Sequence, residues 1–130
     1  MKYLGIDYGA RRVGLAVSDE QASFAMPLVV LSNSENLLDE VSKVSVEQKV
    51  DAIVIGDSRN YSGEENDIME EIKPFAANLG KKTNLPVYMH PEFLTSIEAE
   101  HLQGKNDMRD ASAAALILKS YLDTKNLLRN

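Results

Sequence analysis

The sequence predicts an α/β fold: a mixed five-stranded sheet with helices on both faces. Three observations predict it. Short runs with strand-like alternation come first in the chain. Segments with helical spacing then alternate with two further β-branched runs. The first run is apolar on both faces, as a central strand covered on each side must be. The resulting order is β-β-β-α-β-α-β-α-α. Hairpin-linked strands followed by helix-linked strands make an antiparallel meander joined to parallel strands.

Each element follows from its residues. Lys2 to Tyr8 places Leu4, Ile6 and Tyr8 on one face and Tyr3 with Gly5 on the other. Gly9-Ala10 is a turn signal, and Val13, Leu15 and Val17 then alternate with Gly14, Ala16 and Ser18, giving a hairpin. Ala25 to Leu31 is a third extended run. Leu37, Leu38, Val41 and Val44 recur at helical spacing behind a capping-box pattern, Ser32-x-x-Glu35. Asp51 to Gly56 is a short apolar strand. Ser62-x-x-Glu65 opens a second helix through Leu79, which Pro74 is expected to kink or break. Leu85 to His90 is a fifth strand. Thr95-x-x-Glu98 caps a short helix, and a final helix runs from Met108 to Lys125, with Ala111, Ala114, Ala115, Leu118, Tyr121 and Leu122 as its stripe.

Composition limits the functions open to this chain. Its 130 residues suit one compact domain, 1–130, and are too few for two. No apolar run approaches a membrane span, and no signal-peptide pattern opens the sequence. The absence of cysteine excludes disulfides, thiolate chemistry and cysteine zinc sites, and the chain reads as cytoplasmic. A net charge of −6 argues against holding long nucleic acid by bulk charge. It leaves a metal nuclease open, because bound divalent ions reverse the sign of a carboxylate cluster.

Three carboxylates could carry such chemistry. Asp7 lies near the end of an otherwise apolar strand, where a lone charge is expensive unless a cation, backbone N–H groups or a metal meets it. Gly5 shares its face, and Gly14, Ala16 and Ser18 offer small neighbours on the next strand, leaving room for a ligand. The plainer alternative is a cap on the Gly9-Ala10 turn. Glu92 follows the fifth strand directly, at the edge where parallel strands gather ligand sites; alone it reads equally as an exposed loop residue. Asp110 lies in the first turn of the last helix, beside its inward face, where a carboxylate also suits the helix dipole. Asp107, one turn earlier, is an N-cap or a fourth metal-site carboxylate. The combination is more telling than any member. An oxygen-rich, cysteine-free cluster suits Mg²⁺ or Mn²⁺. Two such ions about 3.5–4 Å apart can activate water and stabilise a leaving oxygen in phosphodiester cleavage. Arg11, Arg12, Arg59, Lys105 and Arg109 are the candidate basic rim for phosphate, with scattered surface charge as the alternative. His90 reads as structural more readily than as a proton carrier.

The run Leu4-Gly-Ile-Asp-Tyr-Gly-Ala-Arg-Arg-Val-Gly-Leu-Ala-Val-Ser-Asp19 resembles the YqgF/RuvX family. The resemblance continues at Ile53-Val-Ile-Gly56, Asn60 and Gly63, His90-x-Glu92-x-Leu-Thr-Ser-x-Glu-Ala99, and Asp110-Ala-Ser-Ala-Ala-Ala-Leu-Ile-Leu118. It implies an RNase H-like domain and a RuvC-like metal-dependent endonuclease. The family's implied roles are processing the 5′ end of pre-16S rRNA in ribosome biogenesis or resolving Holliday junctions. It implies an acidic triad at Asp7, Glu92 and Asp110. The implied partners are pre-rRNA or branched DNA and a ribosomal subunit precursor, with no membrane, in a monomer or homodimer. Departures are local. Pro91 and Phe93 flank Glu92 where the family usually has Asp and Arg, Asp57-Ser58 replaces a Leu-Pro pair, and the linker Leu102 to Arg109 is short. Losing the flanking Arg removes a bidentate grip on phosphate. Two other classes fit parts of the pattern: a catalytically weakened RNA or ribosome-assembly binding protein, and an actin-like ATPase, which would need a second such domain.

Overall fold

The structure is a computed structural model, and it describes residues 1–58, 68–92 and 109–129; for 57, 58, 92, 109 and 127–129 it describes the backbone. Five strands form one sheet: β1 (Tyr3–Tyr8), β2 (Arg12–Ser18), β3 (Ala25–Ser32), β4 (Ala52–Ser58) and β5 (Val87–Glu92). Their order is β3-β2-β1-β4-β5, so β1 is central. β1 pairs antiparallel with β2, and β2 with β3. β1 pairs parallel with β4, and β4 with β5. This is the mixed sheet that the hairpins and crossovers predict.

The two faces of β1 sort its side chains as the alternation requires. Leu4 and Ile6 join Val13, Leu15, Ile53 and Ile55 in one core, closed by α1 (Leu37–Glu47) and α2 (Met69–Thr83) through Leu37, Val41, Ile72 and Leu79. Each such side chain contributes about 1.5–3 kcal/mol of transfer free energy when fully buried. Tyr3, Ala52 and Val54 face the other way, against Ile117, Leu118 and Leu122 of α3 (Arg109–Arg129). Ala16 of β2 meets Ala114 and Ala115 of the same helix. The contact is backbone-close: a Cβ built on Gly5 would lie 2.8 Å from Leu118 Cβ. Small residues on β1 and β2 therefore let α3 lie down on the sheet.

Four expectations change. Ser32 ends β3 and caps no helix; the N-cap of α1 is Asn36, with no side-chain cap bond, and Ser34 accepts from Asn36 N–H and, through its carbonyl, from Leu37 N–H. Pro74 lies inside α2 without ending it. Its missing N–H frees the carbonyl of Glu70, and both residues are exposed, so water can satisfy that carbonyl. β5 extends through Pro91 to Glu92, so Glu92 ends the strand and does not follow it; an edge strand tolerates proline. Ala111 to Ala115 of α3 is buried without interruption, so the helix has no narrow stripe there. The predicted helix starts at Ser62 and Thr95 lie outside the described residues. Among those described, no helix is long and apolar enough to cross a membrane.

Candidate active site

β1, β4 and β5 run parallel, so their carboxyl ends lie along one edge of the sheet. Asp7 is the last residue but one of β1 and is half-buried. Its antiparallel partner on β2 is Gly14. A Cβ on Gly14 would lie 1.9 Å from the carbonyl oxygen of Asp110 and 2.8 Å from the Ala111 nitrogen. The first turn of α3 thus rests on the backbone beside Asp7. Gly14 neighbours both Asp7, across the ladder, and the backbone of Asp110, from the other end of the chain.

Glu92 is reached along the register. Ile6 pairs with Ile55, which sets Asp7 beside Gly56 one residue further on; Gly56 pairs with His90, and Ser58 with Glu92. Glu92 lies two residues beyond His90 on β5. Strand spacing puts β5 about 10 Å from β1. The residue between them at the level of Asp7 is Gly56, buried and without a side chain.

Of the expected basic rim, Arg11 and Arg12 have described side chains. Arg12 begins β2, and its Nε lies 3.2 Å from Asp110 Oδ2, with 55% of the Arg12 side chain and 28% of the Asp110 side chain exposed. Arg11 is exposed in the turn joining β1 to β2. That turn is held from two sides. Gly9 N–H donates to the Arg12 carbonyl, where a Cβ on Gly9 would come within 2.6 Å of the same oxygen. Asn33, just past β3, donates from Nδ2 to the Gly9 carbonyl at 2.8 Å and from its backbone N–H to the Arg11 carbonyl. Arg59, Lys105 and Asp107 lie outside the described residues, as does the side chain of Arg109.

His90 is level with Asp7 and points to the same face, but it is tied into packing. Its Nε2 is 2.8 Å from Ser120 Oγ, and its ring meets Tyr121 edge-on at 5.9 Å. Burial lowers its pKa from the usual histidine value, favouring the neutral ring. Tyr121 also stacks on Tyr88 and packs against Tyr3.

Three features are not predicted by the sequence pattern: the Arg12–Asp110 ion pair, the Asn33 brace, and Gly56 as the gap between β1 and β5. Only the third has a local signal, a glycine closing an apolar β-branched run.

A central strand with an antiparallel meander on one side, two parallel strands on the other and a long helix across one face is an RNase H-like fold. Solved structures agree in fold. RuvC from T. thermophilus, described in complex with a Holliday junction substrate, matches at a TM-score of 0.65 and 17% identity, over 97% of this chain and 96% of that one. The fowlpox virus resolvase matches at a TM-score of 0.61 and 12% identity, over 96% and 99%. A family model described as RuvX, Holliday junction resolvase, matches residues 1–124. The chain belongs to the RuvX family. A relative in Nitratidesulfovibrio vulgaris, named "Putative pre-16S rRNA nuclease", is 35% identical over 99% of this chain and 89% of its own length. One of the same name in Protochlamydia amoebophila is 33% identical over 95% and 94%.

Proposed function

We propose that this protein is a metal-dependent endonuclease that hydrolyses phosphodiester bonds during 5′-end processing of pre-16S rRNA. The observation that carries the reading is Gly14, which pairs with Asp7 on β1 and lets the Asp110 backbone of α3 rest on β2, at the edge where β5 ends on Glu92. Membership of a nuclease family and the names of its relatives support it.

The donor set fits a hard divalent cation. Carboxylates are its ligands of choice, the chain has no cysteine to favour zinc, and Gly14, paired with Asp7 and touching the Asp110 backbone, adds no side chain of its own there. Asp7, Glu92 and Asp110, with Asp107 as a fourth candidate, would hold one or two Mg²⁺ or Mn²⁺ ions. When bound, such ions supply a water of lowered pKa and charge stabilisation at the leaving oxygen. The chain itself fixes the site. β1 is locked between two neighbours, so Asp7 is carried on the most rigid element, and α3 is pinned by its contact with Gly14. The turn braced by Asn33 presents Arg11 beside the site, in reach of a phosphate backbone. Arg59, Lys105 and Arg109 complete the proposed rim, in a cytoplasmic protein working on a ribosomal subunit precursor.

The family description favours a second reading, resolution of branched DNA, which requires a two-fold dimer for symmetric cutting. A cleavage panel with Mn²⁺ separates them. The substrates are RNA carrying the 5′-extended 16S sequence, a four-way DNA junction and an unrelated single strand. Preferred cutting of the extended RNA is expected. Preferred symmetric nicking of the junction would favour the second reading, and no cutting of any substrate would overturn both in favour of a binding protein.

A further inference from the structure

We infer that Arg12 is an exchange residue: its guanidinium, paired with Asp110, competes with a cation for that carboxylate, yields it when the cation binds, and turns to the phosphate of the bound strand. The inference rests on the metal-site reading above.

The contact has the geometry such an exchange needs. Its shortest approach is from Nε, 3.2 Å from Asp110 Oδ2. A guanidinium carries five N–H donors, and a fork-to-fork pair would commit two nitrogens at once. With that many donors the guanidinium can meet one carboxylate and still offer N–H groups to a second anion. More than half of the Arg12 side chain is exposed, so it can swing away without unpacking the core. Its own backbone is fixed: Arg12 pairs with Ser32 on β3, and its carbonyl accepts from Gly9 N–H. The swing is therefore confined to the side chain.

Its sign opposes that of a structural tether. Asp110 needs no arginine to hold its place, because its backbone already rests on Gly14. A positive charge on Oδ2 instead neutralises the carboxylate that a divalent cation would use, and repels the incoming ion. An exposed pair of this kind is weak, shifting an equilibrium by about two- to fivefold, so it lowers cation affinity without preventing binding. The displaced guanidinium is then close to the site and without its carboxylate, just where a phosphate must come.

The test titrates Mn²⁺ into protein without nucleic acid, by calorimetry and by the rise in Tm, for wild type, Arg12→Ala, Arg12→Gln and Asp7→Asn. Arg12→Gln keeps most of the stem in case Arg12→Ala perturbs folding. Both Arg12 variants should bind Mn²⁺ about two- to fivefold more tightly than wild type, the factor that a pair of this strength sets. The same variants should bind single-stranded RNA more weakly. Unchanged or weaker Mn²⁺ binding in both, beside wild-type binding that Asp7→Asn abolishes, overturns the exchange and leaves the metal site standing. Wild-type protein that binds no Mn²⁺, or binds it equally well with Asp7→Asn, overturns the metal site and the exchange together.

Discussion

Gly14 illustrates how a single residue can position two others. It is fully buried on β2, and its missing side chain lets α3 approach until the Asp110 carbonyl lies where a Cβ would be. The obstruction is backbone, so no rotamer change can relieve it. Gly14→Ala should therefore cost about 3 kcal/mol or more, beyond ordinary overpacking, as read by urea unfolding. Gly5→Ala should cost less, about 1–3 kcal/mol, because its nearest neighbour is the Leu118 side-chain base at 2.8 Å. Equal, small effects at both would mean that α3 does not lie as close to β2 as the structure has it.

The same corner separates what single residues reveal from what only the fold reveals. Asp7 is conspicuous in the sequence because a carboxylate in an apolar strand requires a partner. Gly5, Gly14 and Ala16 are legible as small residues on strand faces. The Arg12–Asp110 pair is not legible, since it depends on where the last helix lands, and no local pattern specifies that. Arg12 is legible as a candidate phosphate ligand, and its pairing with Asp110 becomes visible only in the fold.

At the scale of elements, periodicity locates all five strands and the three described helices, and the differences fall at their ends. Ser32-x-x-Glu35 has the letters of a capping box, but Ser32 pairs with Arg12 in the sheet, and the sheet takes precedence. Pro74 has the chemistry of a helix breaker, yet its position on an exposed face lets water replace the missing hydrogen bond. The β2–β3 hairpin is closed by a side chain with no distinctive sequence signal. Asp19 Oδ1 accepts from Ser23 N–H at 2.7 Å and from Phe24 N–H at 3.0 Å. These bonds, the Phe24 one foremost, lower its pKa from the usual 3.8. A carboxylate with a lowered folded pKa stabilises fully above its unfolded value, and loses that contribution as pH falls through the folded one. Asp19→Ala should thus lower Tm at neutral pH, and the deficit should shrink as pH drops below about 3.8. A deficit that stays constant into acid would show that the charge contributes nothing.

For the whole molecule, two cores on opposite sheet faces leave one edge for chemistry. The hairpin-and-crossover order is enough to predict this architecture, since connection rules leave few alternatives. The edge itself is harder to foresee in detail, because Gly56 matters only once β4 is known to separate β1 from β5. Overall charge has a further consequence. A chain of net charge −6 must concentrate its few cations where a polyanion docks, and exposed Arg11 is the clearest described candidate. Arg11→Glu should weaken nucleic-acid binding and flatten its salt dependence by about 0.7–0.9 in the log–log slope for each phosphate no longer neutralised. An unchanged slope would remove Arg11 from the interface.

The central claim is that Asp7 holds a catalytic cation. Its most direct test is the Mn²⁺-dependent cleavage rate of 5′-extended 16S RNA by Asp7→Asn protein, beside wild type purified in parallel. Asparagine keeps the shape of the side chain and removes the charge, so the fold should persist. Loss of a metal-binding carboxylate should lower the rate at least about a hundredfold, more than losing a group that merely orients a ligand. If Asp7 only caps the Gly9-Ala10 turn, asparagine substitutes well and the rate is unchanged. An Asp7→Asn protein that cuts at the wild-type rate would contradict the account.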